Sequence, residues 1–368
     1  MEKISVSSLY IGLMSGTSLD GVDVALCEID KSSCILKASY FLAMPMELKE
    51  SILTIINGKT TLKEVGEIDQ KLALFFSQGV NLLLEKESIE SKDIVAIGSH
   101  GQTVWHEPNS GELSFSMQLG DPSRLAVLTD IDVVADFRAK DIAMGGQGAP
   151  FAPAFHQFLF SHLQPCVILN IGGMANISIL GQELIGYDTG CGNVLMDLWI
   201  QEYKSLPYDR DGDWAKSGKV HTELLNLMLE DDYFNLKYPK STGREYFNKN
   251  FLINYLERFG KISKADVQAT LLALTVQSIS NEIEKFSVDR VLVCGGGVNN
   301  LFLMSQLQQE LPHLEVASTQ KYGIRSDDIE AMIFAWFGYK RLAKEPIELK
   351  SVTGAKENRI LGGVYAKD

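Results

Sequence analysis

The stretch that decides the fold is Ile11-Gly12-Leu13-Met14-Ser15-Gly16-Thr17-Ser18-Leu19-Asp20-Gly21-Val22-Asp23-Val24-Ala25-Leu26. It predicts an apolar strand, a tight turn of glycine and small hydroxyl residues, and a second strand of alternating polarity. Gly16 and Gly21 can adopt backbone angles that are closed to other residues. The N–H groups of the turn and the hydroxyls of Thr17 and Ser18 can therefore converge on a phosphate.

A second hairpin of the same kind occurs later in the chain. It reads Cys166-Val167-Ile168-Leu169-Asn170-Ile171-Gly172-Gly173-Met174-Ala175-Asn176-Ile177-Ser178-Ile179-Leu180, again a strand, a glycine turn and a strand. Two phosphate-binding hairpins, one in each half of the chain, suggest a nucleotide held in a cleft between two related domains. The alternative is a pair of ordinary glycine β-hairpins.

The composition is typical of a globular protein with two domains. The chain has 368 residues, of which 45% are hydrophobic and 22% are charged, and this length is large for a single hydrophobic core. The formal net charge of −13 disfavours nucleic acid and anionic membranes as partners. An acidic chain can still bind a nucleotide, because local N–H donors and a divalent metal set the field at the site.

The cysteine pattern and the N-terminus both favour a cytoplasmic protein. Five cysteines, Cys27, Cys34, Cys166, Cys191 and Cys294, are scattered and form no C-x-x-C pair. This pattern is typical of free thiols in a reducing compartment rather than of a disulfide framework or a zinc site. The chain does not begin with a basic segment and a long apolar run, and no apolar stretch reaches membrane-spanning length.

Strand-like and helix-like segments alternate along the chain. Helices are predicted at Met46–Ile56, 62–86 and 264–286, and from about Asn193 and Leu301; strands are predicted at 94–98, 183–187 and Arg290–Cys294. This alternation favours an α/β architecture with parallel sheets. We place the domain boundary near residue 130, with a second domain at 131–344 and residues from about 345 to 368 returning to the first domain.

A third glycine turn follows the strand at Arg290–Cys294. The run Gly295-Gly296-Gly297-Val298-Asn299-Asn300 opens a helix, as a dinucleotide-binding fingerprint does, and Glu315 follows at the spacing of a ribose ligand. The third glycine of that fingerprint is Asn300 here, however, and no Walker loop is present. We interpret the glycines as allowing the backbone to lie flat against an adenosine, with an ordinary strand-to-helix turn as the alternative.

A series of motifs runs along nearly the whole chain. The motifs are Met14-Ser15-Gly16-Thr17-Ser18-Leu19-Asp20-Gly21-Val22-Asp23, Ser99-His100-Gly101-Gln102-Thr103-Val104, Asp136-Phe137-Arg138 with Gly145-Gly146-Gln147-Gly148-Ala149-Pro150, Asn170-Ile171-Gly172-Gly173-Met174-Ala175-Asn176, Asp188-Thr189-Gly190-Cys191-Gly192-Asn193, the third glycine turn, and Asp327-Asp328-Ile329-Glu330-Ala331. In this order they resemble the anhydro-N-acetylmuramic acid kinases, a family within the actin, hexokinase and Hsp70 ATPase superfamily. One departure is Cys191, where the family commonly has proline, so the loop carrying Asp188 is expected to be less rigid.

The resemblance implies a two-domain, actin/hexokinase-like (ribonuclease H-like) α/β fold with an interdomain cleft. It also implies the use of ATP and Mg²⁺, and a homodimer. The expected substrate is 1,6-anhydro-N-acetylmuramic acid, a sugar released in peptidoglycan turnover. Members of the family add water at its anomeric carbon while phosphorylating O6, and so form N-acetylmuramic acid 6-phosphate. Closure of the two domains around the substrate is expected, since this excludes bulk water.

The resemblance assigns roles to particular residues. Asp188, predicted to follow a strand on a glycine-rich turn, is the expected general base that takes a proton from the attacking water; a turn-capping aspartate is the alternative. The expected nucleotide-binding residues are Gly16, Thr17, Ser18, Leu19, Asp20, Gly21, Val22, Asp23, Asn170, Gly172, Gly173, Asn176, Gly295, Gly296, Gly297 and Asn300. The expected substrate-binding residues are His100, Gln102, Thr103, Arg138 and Glu330.

Several of these assignments keep an alternative. Arg138 can pair with the lactyl carboxylate as a bidentate donor or form a surface ion pair. Glu330 can bind sugar hydroxyls or act only on the helix dipole. His100 can contact the sugar or be structural, and its spacing from other histidines is not a zinc pattern. Asp20 and Asp23 flank the first turn, and the sequence does not decide which one holds magnesium and which caps turn N–H groups.

Two other functions remain open at this point. The first is an ordinary sugar or acid kinase of the same superfamily, in which Asp188 deprotonates a substrate hydroxyl. The second is a non-catalytic ATP-binding protein, either chaperone-like or filament-forming. The origin of the oxygen at the anomeric carbon separates the anhydro-sugar kinase from the ordinary kinase, and loss of turnover without loss of ATP binding on Asp188→Asn excludes the non-catalytic protein.

Overall fold

The computed structural model describes residues 7–368, apart from the Asp327 side chain. Its contacts divide the chain into two units: unit 1 contains residues 7–159 and Asp328–Asp368, and unit 2 is Phe160–Asp327. The boundary thus lies later than the predicted residue 130, and the return to the first unit comes earlier than the predicted residue 345. The first six residues of the predicted first domain lie outside the described part.

Unit 1 contains one mixed sheet with helices. Its strands are β1 (Ser8–Ser15), β2 (Gly21–Ile29), β3 (Cys34–Ala43), β4 (Ile94–Glu107), β5 (Phe115–Leu119) and β6 (Val133–Ala135), with β12 (Gly363–Tyr365) added from the end of the chain. Its helices are α1 (Met46–Ile56), α2 (Leu62–Glu87), α3 (Pro122–Thr129), α4 (Phe137–Ala143), α5 (Ala152–Phe160), α13 (Ile329–Leu342) and α14 (Lys350–Thr353).

The strand order of this sheet is β3-β2-β1-β4-β6-β12, with β5 paired to β4. The first three strands form an antiparallel meander. Strand β4 then runs parallel to β1, and β6 runs parallel to β4. The first hairpin of the sequence is therefore the β1–β2 hairpin in the middle of the sheet.

Helix α13 lies directly on this sheet, which explains why the chain returns to unit 1 at residue 328. A Cβ atom added to Gly12 of β1 would lie 1.8 Å from the carbonyl oxygen of Ala331, and one added to Gly98 of β4 would lie 1.8 Å from that of Phe334. Only glycine at these two positions lets the helix backbone approach so closely. This contact between distant parts of the chain gives no signal in the local sequence.

Helix α2 shows how the sequence specifies a local element. Thr61 and Glu64 form a reciprocal capping box at its first turn, which satisfies N–H groups that the helix leaves unpaired. Apolar residues that recur at helical spacing along this helix are buried and include Leu72, Phe76 and Val80. Within residues 7–368, the helices include none with the length and apolar character needed to cross a membrane.

Unit 2 has a second sheet and the remaining helices. Its strands are β7 (Cys166–Ile171), β8 (Met174–Leu180), β9 (Ile185–Cys191), β10 (Arg290–Cys294) and β11 (Glu315–Ser318). Its helices are α6 (Val194–Lys204), α7 (Asp213–Ser217), α8 (Thr222–Leu229), α9 (Asp232–Asn235), α10 (Lys249–Leu256), α11 (Lys264–Ile283) and α12 (Leu301–Glu310).

The second sheet repeats the topology of the first. Its order is β9-β8-β7-β10-β11, with β7, β8 and β9 antiparallel and with β10 and β11 parallel to β7. In each unit, a three-stranded meander is thus extended by parallel strands that are added beside its first strand. This repeated ribonuclease H-like arrangement confirms the predicted fold class.

Candidate active site

A buried glutamine, Gln102, forms hydrogen bonds with the first glycine turn. The Ser15 hydroxyl donates to the carbonyl oxygen of Gly21 at 3.0 Å and to Oε1 of Gln102 at 2.7 Å. The Gln102 amide in turn donates to the carbonyl oxygen of Gly16 at 3.3 Å. Because Gln102 is fully buried, the structure gives it a supporting position beneath the turn, whereas the sequence analysis expected it to contact substrate.

The glycines of this turn serve a different purpose from the predicted one. The left-handed residue is Leu19, with φ 55°, and neither Gly16 nor Gly21 has a positive φ. Gly21 is required by close packing instead, because a Cβ atom there would lie 2.6 Å from the Phe41 ring and 2.3 Å from the carbonyl oxygen of Leu42. The prediction of a tight turn is confirmed, but the prediction that Gly16 and Gly21 supply its special backbone angles is wrong.

The side chains of the turn separate into exposed and buried groups. Thr17, Ser18 and Asp20 are exposed, whereas Leu19 and Val22 are buried in the core of unit 1. Lys49 of α1, which the sequence analysis did not assign, donates to the carbonyl oxygen of Ser18 at 3.2 Å, and its Nζ lies 3.5 Å from Oδ1 of Asp20. The hydroxyls, the turn N–H groups and this lysine are therefore the groups that can meet a phosphate.

His100 and Arg138, predicted to bind substrate, contact each other. The guanidinium of Arg138 donates to Nε2 of His100, with distances of 2.8 and 3.2 Å from Nη2 and Nε, and Nη1 donates to the carbonyl oxygen of Gly148 at 2.7 Å. Nδ1 of His100 donates to the carbonyl oxygen of Gly101 at 2.8 Å. Burial and the charge of Arg138 lower the pKa of His100 to about 3, so the imidazole is neutral and both ring nitrogens are engaged within the protein.

A cavity of about 270 Å³ borders the carboxyl end of β6 and the β4–β5 pair. Its lining residues are Ser99, His100, Gly101, Ser116, Met117, Gln118, Leu119, Gly120, Pro122, Ala135, Asp136 and Tyr365. The Gln118 amide donates to the Thr103 hydroxyl at 3.2 Å, which places Thr103, another predicted substrate-binding residue, beside this region. The cavity offers hydroxyl, amide and carboxylate groups to a polyhydroxylated ligand.

Glu330, the remaining predicted substrate-binding residue, lies in the first turn of α13. Its side chain is exposed to solvent, but the surrounding protein removes enough water to raise the pKa of its carboxyl group. Ile333, Phe334 and Phe337 of the same helix are buried. A solvent-accessible carboxylate on a rigid helix can accept hydrogen bonds from sugar hydroxyls.

The second glycine turn, between β7 and β8, is joined to the start of α6. The N–H group of Asn193 donates to the carbonyl oxygen of Gly172 at 2.8 Å, and that of Gly192 donates to the carbonyl oxygen of Gly173 at 2.9 Å. Asn170 of β7 and Asn176 of β8 are paired across the hairpin, one residue pair further from the turn than Ile171 and Ala175. The carbonyl oxygens of this turn thus accept hydrogen bonds from the segment that follows β9. These hydrogen bonds fix the turn against the start of α6.

The third glycine turn packs against the second hairpin. Gly295 has φ 79°, and a Cβ atom added there would lie 2.3 Å from Oδ1 of Asn170. A Cβ atom on Gly297 would lie 2.5 Å from the Ile171 side chain, whereas one on Gly296 would meet nothing within 4 Å. Gly295 and Gly297 are therefore required for packing on β7, and Gly296 is the glycine whose surface remains open.

Gly296 opens onto a cavity of unit 2 with a volume of about 720 Å³. Its lining residues are Asn193, Met196, Asp197, Tyr208, Asp209, Arg210, Asp211, Gly296, Val298, Asn299, Asn300 and Leu301. Asn300 also caps α12 by accepting the N–H group of Leu303 at 3.0 Å. This volume lies within the usual range for small-molecule sites, and its wall includes two of the predicted nucleotide-binding residues.

Asp188 lies within β9, three residues before the end of the strand, and not on the turn that the sequence analysis predicted. Its Oδ2 accepts the N–H group of Thr242 at 2.9 Å, and its own N–H group donates to the carbonyl oxygen of Lys240 at 3.1 Å. Burial, opposed by the Thr242 hydrogen bond and assisted by the charge of Glu245, raises the pKa of Asp188 to about 6. Cys191, which ends the strand, is fully buried, so strand pairing and packing hold this segment in place of a proline.

A buried ion pair anchors the chain that contacts Asp188. Nζ of Lys240 lies 2.7 Å from Oε1 of Glu282, and both side chains are almost fully buried. The hydroxyl of Tyr187, next to Asp188 in β9, donates to Oε2 of the same glutamate at 3.0 Å. The Tyr233 hydroxyl donates to the carbonyl oxygen of Asp188 at 2.8 Å. Strand β9, helix α11 and the segment at 233–242 are thereby joined around the candidate base.

The sequence analysis assigned none of these supporting residues. The one local signal is the polar run Lys240-Ser241-Thr242-Gly243-Arg244. This run contains a glycine and begins directly after Pro239. Such a run is also typical of an ordinary surface loop, so its link to Asp188 becomes visible only in the folded chain.

The residues present are compatible with a magnesium ion that is held mainly by the nucleotide. In the described part of the chain, no group of three or more His, Cys, Asp or Glu side chains is placed to bind a metal. Mg²⁺ in kinase sites commonly takes one or two carboxylates together with substrate phosphates and water. Asp20 and Asp23, at the two ends of the first turn, are carboxylates of the appropriate type.

Comparison with known proteins identifies the relatives of the chain. The model of the anhydro-N-acetylmuramic acid kinase family matches residues 8–367. A protein from Sulfurovum sp. (strain NBC37-1) with the name anhydro-N-acetylmuramic acid kinase is 59% identical over 358 residues, which cover 97% of this chain and 98% of that protein. One of the same name from Sulfurimonas denitrificans is 52% identical, with 98% and 100% covered.

Solved structures resemble the chain more distantly. The activator of the 2-hydroxyisocaproyl-CoA dehydratase from Clostridium difficile has a TM-score of 0.43 at 14% identity, and covers 91% of this chain and 97% of its own. A ROK family glucokinase from Streptomyces griseus has a TM-score of 0.39 at 13% identity, with 89% and 98% covered.

The repeated ribonuclease H-like units with their glycine hairpins, together with these relatives, define the chain as an enzyme of the kinase class. More particularly, the chain belongs to the anhydro-N-acetylmuramic acid kinase family.

Proposed function

We propose that this enzyme uses ATP and water to convert 1,6-anhydro-N-acetylmuramic acid into N-acetylmuramic acid 6-phosphate and ADP, in the recycling of peptidoglycan sugars. The family match over residues 8–367 supports the substrate. The observation that carries the chemistry is Asp188, a half-buried carboxylate in a rigid strand whose pKa is raised to about 6. A base with a pKa near the working pH is effective in proton transfer.

The reaction proceeds by opening the anhydro bridge at the anomeric carbon. Asp188 takes a proton from a water molecule as its oxygen forms a bond to that carbon, and the bond from the carbon to O6 breaks. O6 forms a bond to the γ-phosphorus of ATP, and ADP leaves. In inverting glycosidases a second carboxylic acid protonates the leaving oxygen; here the phosphoryl group captures O6 and makes that acid unnecessary.

Phosphoryl transfer requires mainly positioning and neutralisation of charge. The exposed hydroxyls of Thr17 and Ser18, the turn N–H groups and Lys49 are suited to the phosphates on the side of unit 1. Magnesium, with Asp20 or Asp23 as its protein ligand, supplies further neutralisation when bound. Glu330 accepts hydroxyl groups of the sugar, and Arg138 with His100 shapes the region around the 270 Å³ cavity.

The adenosine part of ATP is assigned to the 720 Å³ cavity of unit 2. Gly296 presents bare backbone there, and Tyr208, which is 52% exposed, lines the same cavity. An aromatic ring and an open peptide plane are suitable surfaces for a purine base.

Tyr208→Ala is therefore expected to weaken nucleotide binding. Loss of stacking on one base costs about 1–3 kcal/mol, so the Kd for ADP should rise about 5- to 150-fold. Calorimetric titration with ADP measures this change, and Tyr203→Ala, an exposed tyrosine that packs on Trp199, serves as the control. An unchanged ADP affinity would place adenosine elsewhere.

The reaction itself is tested in oxygen-18 water. The enzyme is incubated with magnesium, ATP and 1,6-anhydro-N-acetylmuramic acid, and the product is analysed by mass spectrometry. We expect a phosphate on O6 and one heavy oxygen at the anomeric carbon. Absence of product from the anhydro sugar, with phosphorylation of a free sugar or acid, would instead support the ordinary kinase.

The predicted cytoplasmic location, homodimer and closing cleft remain predictions. Sedimentation equilibrium tests the dimer, and solution scattering with and without ligands tests closure through the radius of gyration. An unchanged radius would contradict closure.

A further inference from the structure

Arg244 is an exposed cation beside the second hairpin. Its Nε and Nη2 atoms both lie 3.9 Å from the position that a Cβ atom on Gly173 would occupy. The guanidinium therefore covers the glycine turn itself. Within the described part of the chain, the Arg244 side chain makes no hydrogen bond and no ion pair, so its donors are free for a ligand.

The charge of Arg244 also acts on the adenosine cavity. Asp197, which lines that cavity, has its pKa raised to about 6 by burial, while Arg244 lowers it and Asp209 raises it further. Arg244 is thus close enough to influence a wall of the cavity and also touches the turn between β7 and β8. A nucleotide with its base in the cavity would direct its phosphates toward this turn.

The position of Arg244 is fixed by the loop that carries it, residues 240–247. At one end, Lys240 is held by its buried ion pair with Glu282. At the other end, the Phe247 side chain is fully buried in the core of unit 2. Between them, the Thr242 N–H group binds Asp188. The loop that braces the candidate base therefore also presents the arginine to the glycine turn.

We infer that Arg244 binds the phosphate groups of the nucleotide at the second hairpin. This inference rests on the proposed use of ATP at that hairpin. In a chain of net charge −13, a local cation favours the binding of a polyphosphate, and the guanidinium fork offers paired donors to phosphate oxygens. Loop 240–247 thereby couples phosphate binding to the placement of Asp188, since one short segment contacts both.

The test compares nucleotide affinities of Arg244→Gln and Arg244→Lys by calorimetric titration with ADP and with adenosine. Loss of a hydrogen-bonded charge should weaken ADP binding about ten- to a hundredfold in Arg244→Gln, while adenosine binding stays unchanged. Arg244→Lys keeps the charge but loses the fork, so it should recover part of the affinity. Arg258→Gln, an exposed arginine of the same unit that stacks on Tyr255, is the matched control.

Three outcomes would overturn the inference: ADP affinity within twofold of wild type, an equal loss for adenosine and ADP, or a loss confined to the anhydro sugar. The last result would assign Arg244 to the lactyl carboxylate instead. Failure of the proposed function would appear separately, as a wild-type enzyme that binds ADP but does not convert the anhydro sugar.

Discussion

Asp188→Asn should abolish turnover and leave nucleotide binding intact. A positioned general base contributes about a hundred- to ten-thousandfold to rate, and asparagine cannot accept the proton of the attacking water. Its Oδ1 can still accept the Thr242 N–H group that now binds Asp188 at 2.9 Å, so the strand should keep its geometry. Steady-state kinetics and ADP titration measure the two properties, with Glu257→Gln at an exposed carboxylate as the control. Retained turnover would refute the mechanism.

The same substitution should stabilise the protein at high pH. Folding raises the pKa of Asp188 from 3.8 to about 6, so the folded state holds this proton more tightly than the unfolded chain does. The ionised carboxylate therefore lowers stability, fully above pH 6 and progressively less as the pH falls toward 4. We expect the Tm of Asp188→Asn to exceed that of the wild type at pH 8, with a smaller difference at pH 4.5. A larger gain at the lower pH would contradict the raised pKa.

The activity of the wild type follows from the same titration. Only the ionised carboxylate acts as a base, so kcat should decline below about pH 6. The decline is absent if Asp188 is a structural aspartate.

Lys240→Met should cause the largest loss of stability. The change takes the buried partner from Glu282, whose side chain is only 5% exposed, and leaves this carboxylate with Lys285, which is 48% exposed and lies 2.5 Å from its other oxygen. Removal of one member of a buried pair costs about 3–5 kcal/mol, which lowers Tm on the order of 10 °C for a unit of this size. It should also lower kcat, because the carbonyl group of residue 240 holds the N–H group of Asp188. Thermal denaturation and steady-state kinetics measure both effects.

Two further variants make this result interpretable. Lys249→Met is the control, because the ion pair of Lys249 with Glu202 has nearly the same length, 2.6 Å, but is exposed. An exposed ion pair contributes only about 0–1 kcal/mol to the free energy of unfolding. Lys240→Met combined with Glu282→Gln removes the carboxylate charge that has lost its buried partner and keeps an acceptor for the Tyr187 hydroxyl. The double variant should regain much of the lost stability; if it is no more stable than Lys240→Met alone, the buried charge of Glu282 is not the cause of the loss.

Local elements were predicted well because their signals are local. The bounds of α1 and β10 agree with the predicted ranges, and α2 and α11 differ only at their C-terminal ends. Apolar periodicity and caps act within one or two turns of chain, so a single sequence carries them. Strand β4 was predicted to end at residue 98 but continues to Glu107, because pairing with β5 extends it through polar residues.

In the candidate site, too, the features with a local sequence signal were predicted and those that depend on distant contacts were not. The glycine turns and Asp188 stand out in the sequence because glycine and acidic residues at these spacings are unusual, and the family resemblance names their roles. The supporting hydrogen bonds join residues that are far apart in the sequence. They link Gln102 with Ser15, Arg138 with His100, and Thr242 with Asp188. No local pattern encodes such pairs, since each partner is an ordinary polar residue in its own segment.

The sequence by itself determined the fold class, the order of the elements, the family and the candidate base. The tertiary structure alone decided where the units divide, because Gly12 and Gly98 admit α13 onto the first sheet. It also decided the state of Asp188, because burial in β9 and one N–H group from residue 242 set its pKa. The identities of the residues and the spacing of the apolar ones are properties of the chain itself. The removal of water from a carboxyl group and the close approach of a helix to a sheet exist only after distant segments have packed together.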